Sequence, residues 1–246
     1  GFMAAISKLL PRAKRFGLTI PTQVNDYSQF IDSSELDGFL NQDITLLVTE
    51  CATRSITENY PQQSTYSNMR PFESEKFDLI ICNANSRVQK NSDWREWNHR
   101  YRLIMSQIIL SMQRIKHFGT VIIFLNKVDC WDSINMIYTF SKFSNICLFK
   151  SVMNQSYCSK FYLIARNINI ESTDAKEALK DWRNFWWEYN FGGRDGTGKN
   201  PHPDLAHVQN ILAIFGEEFV EMAKPIWKIQ ADALSRTKYA RPLNRW

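Results

Sequence analysis

Two stretches decide how this chain is read: FDLIICNAN at residues 77–85 and GTVIIFLN at residues 119–126. Each is a short apolar run rich in β-branched and aromatic residues, the composition of a buried strand. Between them Tyr101, Ile104, Met105, Ile108, Met112 and Ile115 recur at near-helical spacing, which predicts a helix over residues 97–115 with Gly119 beyond its basic end as a stop. Further along, a second helical run at residues 134–143 precedes two more strand-like runs, ICLFK at residues 146–150 and KFYLIARNI at residues 160–168. Strand–helix alternation of this kind predicts an α/β fold with a parallel-rich sheet and helices on both faces. The first two runs are expected as neighbouring parallel central strands joined by a right-handed crossover. Asn83 then stands at the carboxyl edge of the sheet, where open α/β sheets bind their ligands.

Toward the amino terminus, residues 2–10 read as a short helix stopped by Pro11, and RFGLTI at residues 15–20 as a strand closed by Pro21. Residues 22–40 carry no clear element, and residues 55–76 are loop-like. Beyond Ile170 the pattern changes. Residues 175–189 are helical, with an aromatic stripe of Trp182, Phe185, Trp186 and Tyr189. Rings of that size are too apolar to leave in water, so the stripe is expected to pack on the sheet domain. A Gly/Pro loop at residues 192–204 precedes two further helices, at residues 205–215 and 218–235. The organisation expected is a sheet domain at residues 1–170 and a helical extension at residues 171–246.

The chain has 246 residues and a net charge of +5, a mild excess that permits an anionic partner without requiring one. Its longest apolar run, residues 121–125, is far too short to cross a bilayer. Five cysteines without a CxxC read as the reduced thiols of an intracellular protein. His99, His117, His202 and His207 show no metal-ligand spacing with them, so no metal site is predicted. Trp94, Arg95, His99, Arg100 and Arg102 crowd the start of the long helix. Basic groups interleaved with aromatics suit a nucleic-acid backbone and its bases; a solvated helix start with one buried Trp is the simpler explanation.

The order FDLIIC, SQIIL (residues 106–110), GTVIIFL and CLFK…SKFYLIARN resembles that of the FtsJ/RrmJ-like methyltransferases. These use S-adenosylmethionine to methylate RNA ribose 2′-hydroxyls. The segments FGGRDGTG and PIWKIQADAL are similar to the tail of a fungal branch of that family. The resemblance implies a Rossmann-like methyltransferase sheet, S-adenosylmethionine as cofactor and RNA as partner. Gly1 and Phe2, followed by MAAISKLL, resemble the end of the family's glycine-rich cofactor loop, which implies a chain without the first strand and most of that loop. Asp43 in DIT falls where the family places an acid facing the cofactor's adenine; a lone Asp at a strand edge also reads as a turn or cap residue.

The family's chemistry rests on a Lys-Asp-Lys-Glu tetrad, in which a lysine acts at the ribose hydroxyl and the acids orient the lysines. Carried over position by position, the Asp falls on Asn83, which keeps the shape and loses the charge. The second Lys falls on Ile123 or Phe124, with Lys127 a few residues later. The Glu falls on Lys160, a reversal of charge. Asn83, Lys127 and Lys160 are thus the candidate catalytic positions, and Gly1, Phe2, Asp43 and Asn83 the candidate cofactor contacts. Between Gly38 and Gly192 the sole glycine is Gly119, so S-adenosylmethionine binding is expected to be weak or lost. The reading is a truncated or catalytically degenerate RNA methyltransferase, or alternatively a non-catalytic RNA- or protein-binding module on that fold. A remoter alternative is a GTPase, from NKVD at residues 126–129 and the P-loop-like GRDGTGKN at residues 193–200. A P-loop must leave a strand and open a helix, which this segment is not placed to do. HPD at residues 202–204 reads as a chance tripeptide.

Overall fold

The computed structural model describes residues 2–19, 36–54, 66–83, 94–154, 156–194, 198–199 and 203–237, with residues 94–98 in backbone alone. Helix α1 (Phe2–Leu9) leads to strand β1 (Phe16–Thr19), which pairs in parallel with β2 (Gly38–Asn41). Strand β2 arises where the sequence shows no periodicity: four residues are too few for alternation to register. A 3-10 turn at Ile44–Leu46 and the short α2 (Val48–Cys51) follow. The larger sheet contains β3 (Phe77–Cys82), β4 (Ile115–Asn126), β5 (Asn145–Phe149) and β6 (Lys160–Arg166), in the order β3-β4-β6-β5. Strands β3 and β4 are parallel neighbours, as their apolar character predicts, and α3 (Trp94–Arg114) connects them. Strand β6 runs antiparallel to both β4 and β5, so the sheet is mixed.

Alternation along the strands divides the sheet into unequal faces. On one, Val121, Ile123, Leu125, Phe161, Leu163 and Ala165 are all buried. Cys82 lies on this face and its thiol meets Gln107 and Ser111 of α3. α4 (Trp131–Ser141), α5 (Thr173–Phe191) and α6 (Leu205–Ser235) complete this helical layer and its core. On the other face Ile122, Phe124, Tyr162 and Ile164 are only half-buried. Among the described residues α1 meets that face, through the edge-on contact of Phe2 with Tyr162. Among the described residues the helical cover is therefore uneven, four helices on one face and α1 on the other. Ile122, Phe124 and Ile164 are as apolar as their buried neighbours, and sequence alone cannot tell a covered face from a half-covered one.

Two helix boundaries differ from expectation for physical reasons. α3 does not stop at Gly119 but passes directly into β4 at Ile115. Between Phe77↔Ile115 and Leu79↔Thr120, a two-residue step on β3 faces a five-residue step on β4. The excess bulges out, with Phe118 at φ 62 and Lys116 Nζ 2.9 Å from the Asp78 carboxylate. Gly119 is needed inside this bulge, because a Cβ there would lie 2.7 Å from Ile115 Cγ1 and 3.0 Å from the Lys116 carbonyl. Further on, the two helices expected at residues 205–215 and 218–235 are one, α6, running through Gly216 and Pro225. Its inner face carries Ile211, Phe215, Phe219, Ala223 and Ile226, all buried; this packing outweighs the local cost of glycine.

The aromatic stripe of α5 packs as expected at Trp182, Trp186 and Tyr189, whereas Phe185 is 37% exposed and Trp187 is buried in its place. Cys51 and Cys82 are the two buried thiols, and burial raises them, Cys51 to about 12 and Cys82 to about 11. Both stay protonated at neutral pH and are therefore poor nucleophiles. Maleimide at pH 7.5 on the native chain is accordingly expected to modify only the half-buried Cys130, Cys147 and Cys158. Intact mass before and after denaturation reads this out; rapid native labelling at Cys82 would contradict the packing described. No helix among the described residues is long and apolar enough to cross a membrane.

Candidate functional site

The carboxyl edge of the parallel pair gathers three of the residues singled out by sequence. Asn83 is exposed and follows Cys82, the last residue of β3, which pairs with Ile123. At the end of β4, Asn126 pairs with Lys160, the first residue of β6. Lys127 comes next, exposed and at φ 54, with its backbone N–H donating to the Ser159 carbonyl at 2.8 Å. The Ser159 hydroxyl donates in turn to Asn126 Oδ1. The loop bearing Lys127 is thus tied to the start of β6, and both lysines stand at one rim.

Aromatic rings complete that rim. Lys160 Nζ lies 5.5 Å from the centroid of Phe124, within reach of a cation–π attraction. Phe124 packs against Tyr162 at 5.0 Å, and Tyr162 meets Phe2 at 5.8 Å and Phe149 at 6.4 Å. Burial raises the Tyr162 hydroxyl pKa. Phe2 thus packs on the aromatic rings of the half-buried face. Gly1 lies outside the described residues.

Lys150 is a residue that sequence reasoning passed over. It closes β5, is 4% exposed, and donates from Nζ to the carbonyls of Cys158 and, at 2.7 Å, Lys160. Burial lowers its pKa, while the nearby Cys158 partly opposes that shift. These bonds fix the backbone that carries Lys160. Its position at the end of ICLFK was visible in the sequence, but nothing there distinguished a buried lysine from an exposed one.

Asp43 behaves as a cap. Its Oδ1 accepts from the Thr45 N–H at 2.9 Å and from the Thr45 hydroxyl at 2.8 Å. Its charge also acts on Arg102 of α3. Arg102 itself is half-buried: its Nη1 donates to Asn190 Oδ1 at 3.3 Å, and desolvation lowers its pKa. That bond turns Arg102 toward α5 and away from the basic helix start expected to meet RNA. The side chains of Trp94 and Arg95 lie outside the described residues.

The one glycine between Gly38 and Gly192, Gly119, is not placed at the carboxyl edge. Gly119 sits at the amino end of the β4 pairing, packed on Ile115, and cannot supply a close backbone approach at the carboxyl edge. The GTPase constellation fares no better. The Asn126 side chain is held by Ser159. Of GRDGTGKN, the described residues Gly193, Arg194, Gly198 and Lys199 lie beyond α5, and the Lys199 N–H donates to the Glu188 carbonyl at 2.9 Å. Gly198, at φ +95, is required there because a Cβ would meet the Tyr189 carbonyl oxygen at 2.3 Å. Among the described residues no group of three or more His, Cys, Asp or Glu is placed to hold a metal.

No protein-family model matches the chain, and no curated protein matches it at a significant level. Its matches among solved structures include an alphavirus P23pro-zbd, 13% identical over 80% of this chain and 27% of that chain, with a TM-score of 0.31. The chain thus spans about a quarter of that protein's length. At that score the likeness carries no assignment.

Proposed function

We propose that this chain is a catalytically degenerate relative of the FtsJ/RrmJ-like RNA ribose 2′-O-methyltransferases, binding RNA at the carboxyl edge without transferring a methyl group. The observation that carries the reading is the makeup of that edge. Lys160 stands on the rim beside Phe124 and Tyr162 and Lys127 on the loop that leaves the paired strand end, while the position after β3 is the neutral Asn83. Two cations beside aromatic rings suit a phosphate backbone with a base to stack. Proton abstraction from a ribose hydroxyl needs more: a lysine held in place and tuned by carboxylates. An amide at position 83 and a cation at position 160 supply neither charge, and two neighbouring cations repel one another.

Two measurements test this. In the first, labelled methyl transfer from S-adenosylmethionine to mixed cellular RNA stays at background for the unmodified chain. Losing one general acid/base element typically costs roughly 10²–10⁴ in rate. Robust transfer that disappears in Lys127→Ala would show a rearranged active site in place of a lost one. In the second, single-stranded RNA is titrated over a range of salt. Lys127→Ala and Lys160→Ala are each expected to weaken binding several-fold and to flatten the slope of log K against log[salt] by about 0.7. An unchanged slope in the double variant would remove RNA from this edge.

A further inference from the structure

α3, α4, α5 and the start of α6 line a cavity of about 200 Å³ that is rich in aromatic side chains: Tyr101, Trp131, Trp182, Phe185 and Tyr189. Tyr101 and Tyr189 stack nearly parallel, centroids 5.4 Å apart and planes 5° off, and Trp131 meets His207 edge-on at 5.9 Å. Two carboxylates line the same space, Asp132 and Asp204. The Tyr101 hydroxyl donates to Asp132, and Asp204 accepts from the Ala206 N–H at 3.2 Å. Both tyrosine hydroxyls have raised pKa values, chiefly from burial and further from the charge of Asp132.

The cavity adjoins a larger one of about 440 Å³, the two sharing Asn135, Trp182, Phe185 and His207 in their walls. Here α5 presents Asp174, Glu177, Asp181 and Glu188, which helical spacing places on one face. Its two lysines are already engaged: Lys199 pairs with Glu188 at 3.0 Å, and Lys142 lies over the Tyr138 ring at 4.6 Å. Among the described residues no ion pair engages Asp174, Glu177 or Asp181. A chain of net charge +5 thus concentrates negative charge along one groove that ends in an aromatic pocket.

These features select a ligand class. Aromatic faces attract cations through their quadrupole, and aromatic cages recognise methylated ammonium groups. The amino ends of α4 and α6 point the other way, toward an anion, but Asp132 in the first turn of α4 and Asp204 capping α6 already answer those dipoles. An unmethylated ammonium is strongly hydrated and gains little from apolar walls. The smaller cavity is below the ~300–1,000 Å³ of pockets that take whole drug-sized ligands, which suits a head group on a longer molecule.

We propose that the aromatic pocket binds the methylated ammonium of a lysine side chain in a basic peptide, with flanking cationic residues along the acidic face of α5. The groove does not suit the ligand proposed for the rim, since its carboxylates repel a polyanion.

The test titrates the full chain, by calorimetry and tryptophan fluorescence, with a basic peptide carrying trimethyllysine. Comparisons are the unmodified peptide, the same peptide with a neutral tert-butyl isostere of the head group, tetramethylammonium and choline. The trimethylated peptide is expected to bind at least tenfold tighter than the neutral isostere and several-fold tighter than the unmodified peptide. Trp131→Ala should abolish that preference. The double variant Glu177→Gln/Asp181→Asn, at surface positions that leave the core intact, should weaken the peptide several-fold while sparing tetramethylammonium. Equal affinity for the neutral isostere would reduce the pocket to an apolar hole and overturn the proposal. Choline binding as tightly as the peptide would overturn the peptide assignment, and failure of the trimethylated peptide to bind would overturn the whole.

Discussion

Replacing Trp186 by alanine is expected to lower the stability of the fold by about 3–5 kcal/mol, the largest loss of any aromatic truncation on α5. Trp186 is fully buried, and its Nε1 donates to Ser106 Oγ of α3 at 2.9 Å. Its ring stands edge-on to Tyr66 at 6.3 Å and to Phe191 at 6.0 Å, and its carbonyl accepts from Asn190 Nδ2 at 2.7 Å. Alanine removes the ring at the junction of α3, α5 and the segment around Tyr66, where none of these elements can move in without giving up other contacts. In a chain of this size a loss of ~3–5 kcal/mol lowers Tm by roughly 6–20 °C. Trp186→Phe keeps most of the volume and loses the N–H, so about half the cost is expected, on the order of 1–3 kcal/mol. Phe185→Ala, at a ring 37% exposed, should cost less than either. Thermal unfolding of the three variants orders these effects; a Trp186→Ala chain melting within a few degrees of the parent would mean that α5 is not docked as described.

That ranking within one helix shows where sequence stops informing. Trp182, Phe185, Trp186 and Tyr189 are indistinguishable as a stripe at spacings of three and four, yet Phe185 faces the open groove and Trp187 takes a buried place. A helix touched on more than one side buries a wider arc than one stripe, and the sequence does not record how many neighbours it has. The parallel pair β3–β4 was legible because two short runs rich in β-branched and aromatic residues flank a long helical run, the pattern of a crossover unit. The passage of α3 into β4 was not. Ile115 serves equally well as the last apolar residue of a helix or the first of a strand, and Gly119 is common to a helix stop and a bulge.

The candidate edge was legible in a similar, partial way. Asn83 and Lys127 could be placed at the ends of two parallel neighbours, which share an edge, whereas Lys160, at the start of its strand, reaches that edge because β6 runs antiparallel to β4. What surrounds them depends on contacts across the sheet: Ser159 on Asn126, Lys150 on the Lys160 carbonyl, Phe2 on Tyr162. The aromatic pocket draws on four helices far apart in sequence. Of its rings, Trp182, Phe185 and Tyr189 read as packing from the sequence, and Trp182, which stacks on Phe140, does pack in the core.

The other large effect is expected at Glu50. This carboxylate is 3% exposed and pairs with Arg114, itself 7% exposed, across 64 positions of sequence. Arg114 Nε donates to the Pro71 carbonyl at 2.9 Å, and the Glu50 carbonyl accepts from both Gln113 and Arg183 at 3.2 Å. The network joins α2, the end of α3, α5 and the loop at Pro71. Such a pair adds little net stability compared with an apolar replacement, because desolvation offsets most of the attraction. Breaking it is different. Glu50→Ala leaves the Arg114 guanidinium buried against one carbonyl, which typically costs about 3–5 kcal/mol, and Arg114→Ala strands the carboxylate at similar cost. The double variant Glu50→Ala/Arg114→Ala should then be far more stable than the sum of the two single losses predicts, by roughly 1–3 kcal/mol of coupling. Glu50→Met with Arg114→Met refills the volume without charge and should recover most of the parent stability. Urea midpoints for the four variants decide the matter. Strictly additive single losses would mean that the pair is solvated and that shape alone holds α2 to α3; a charge-free pair as unstable as either single variant would mean that the carbonyl contacts of Arg114 carry the stabilisation.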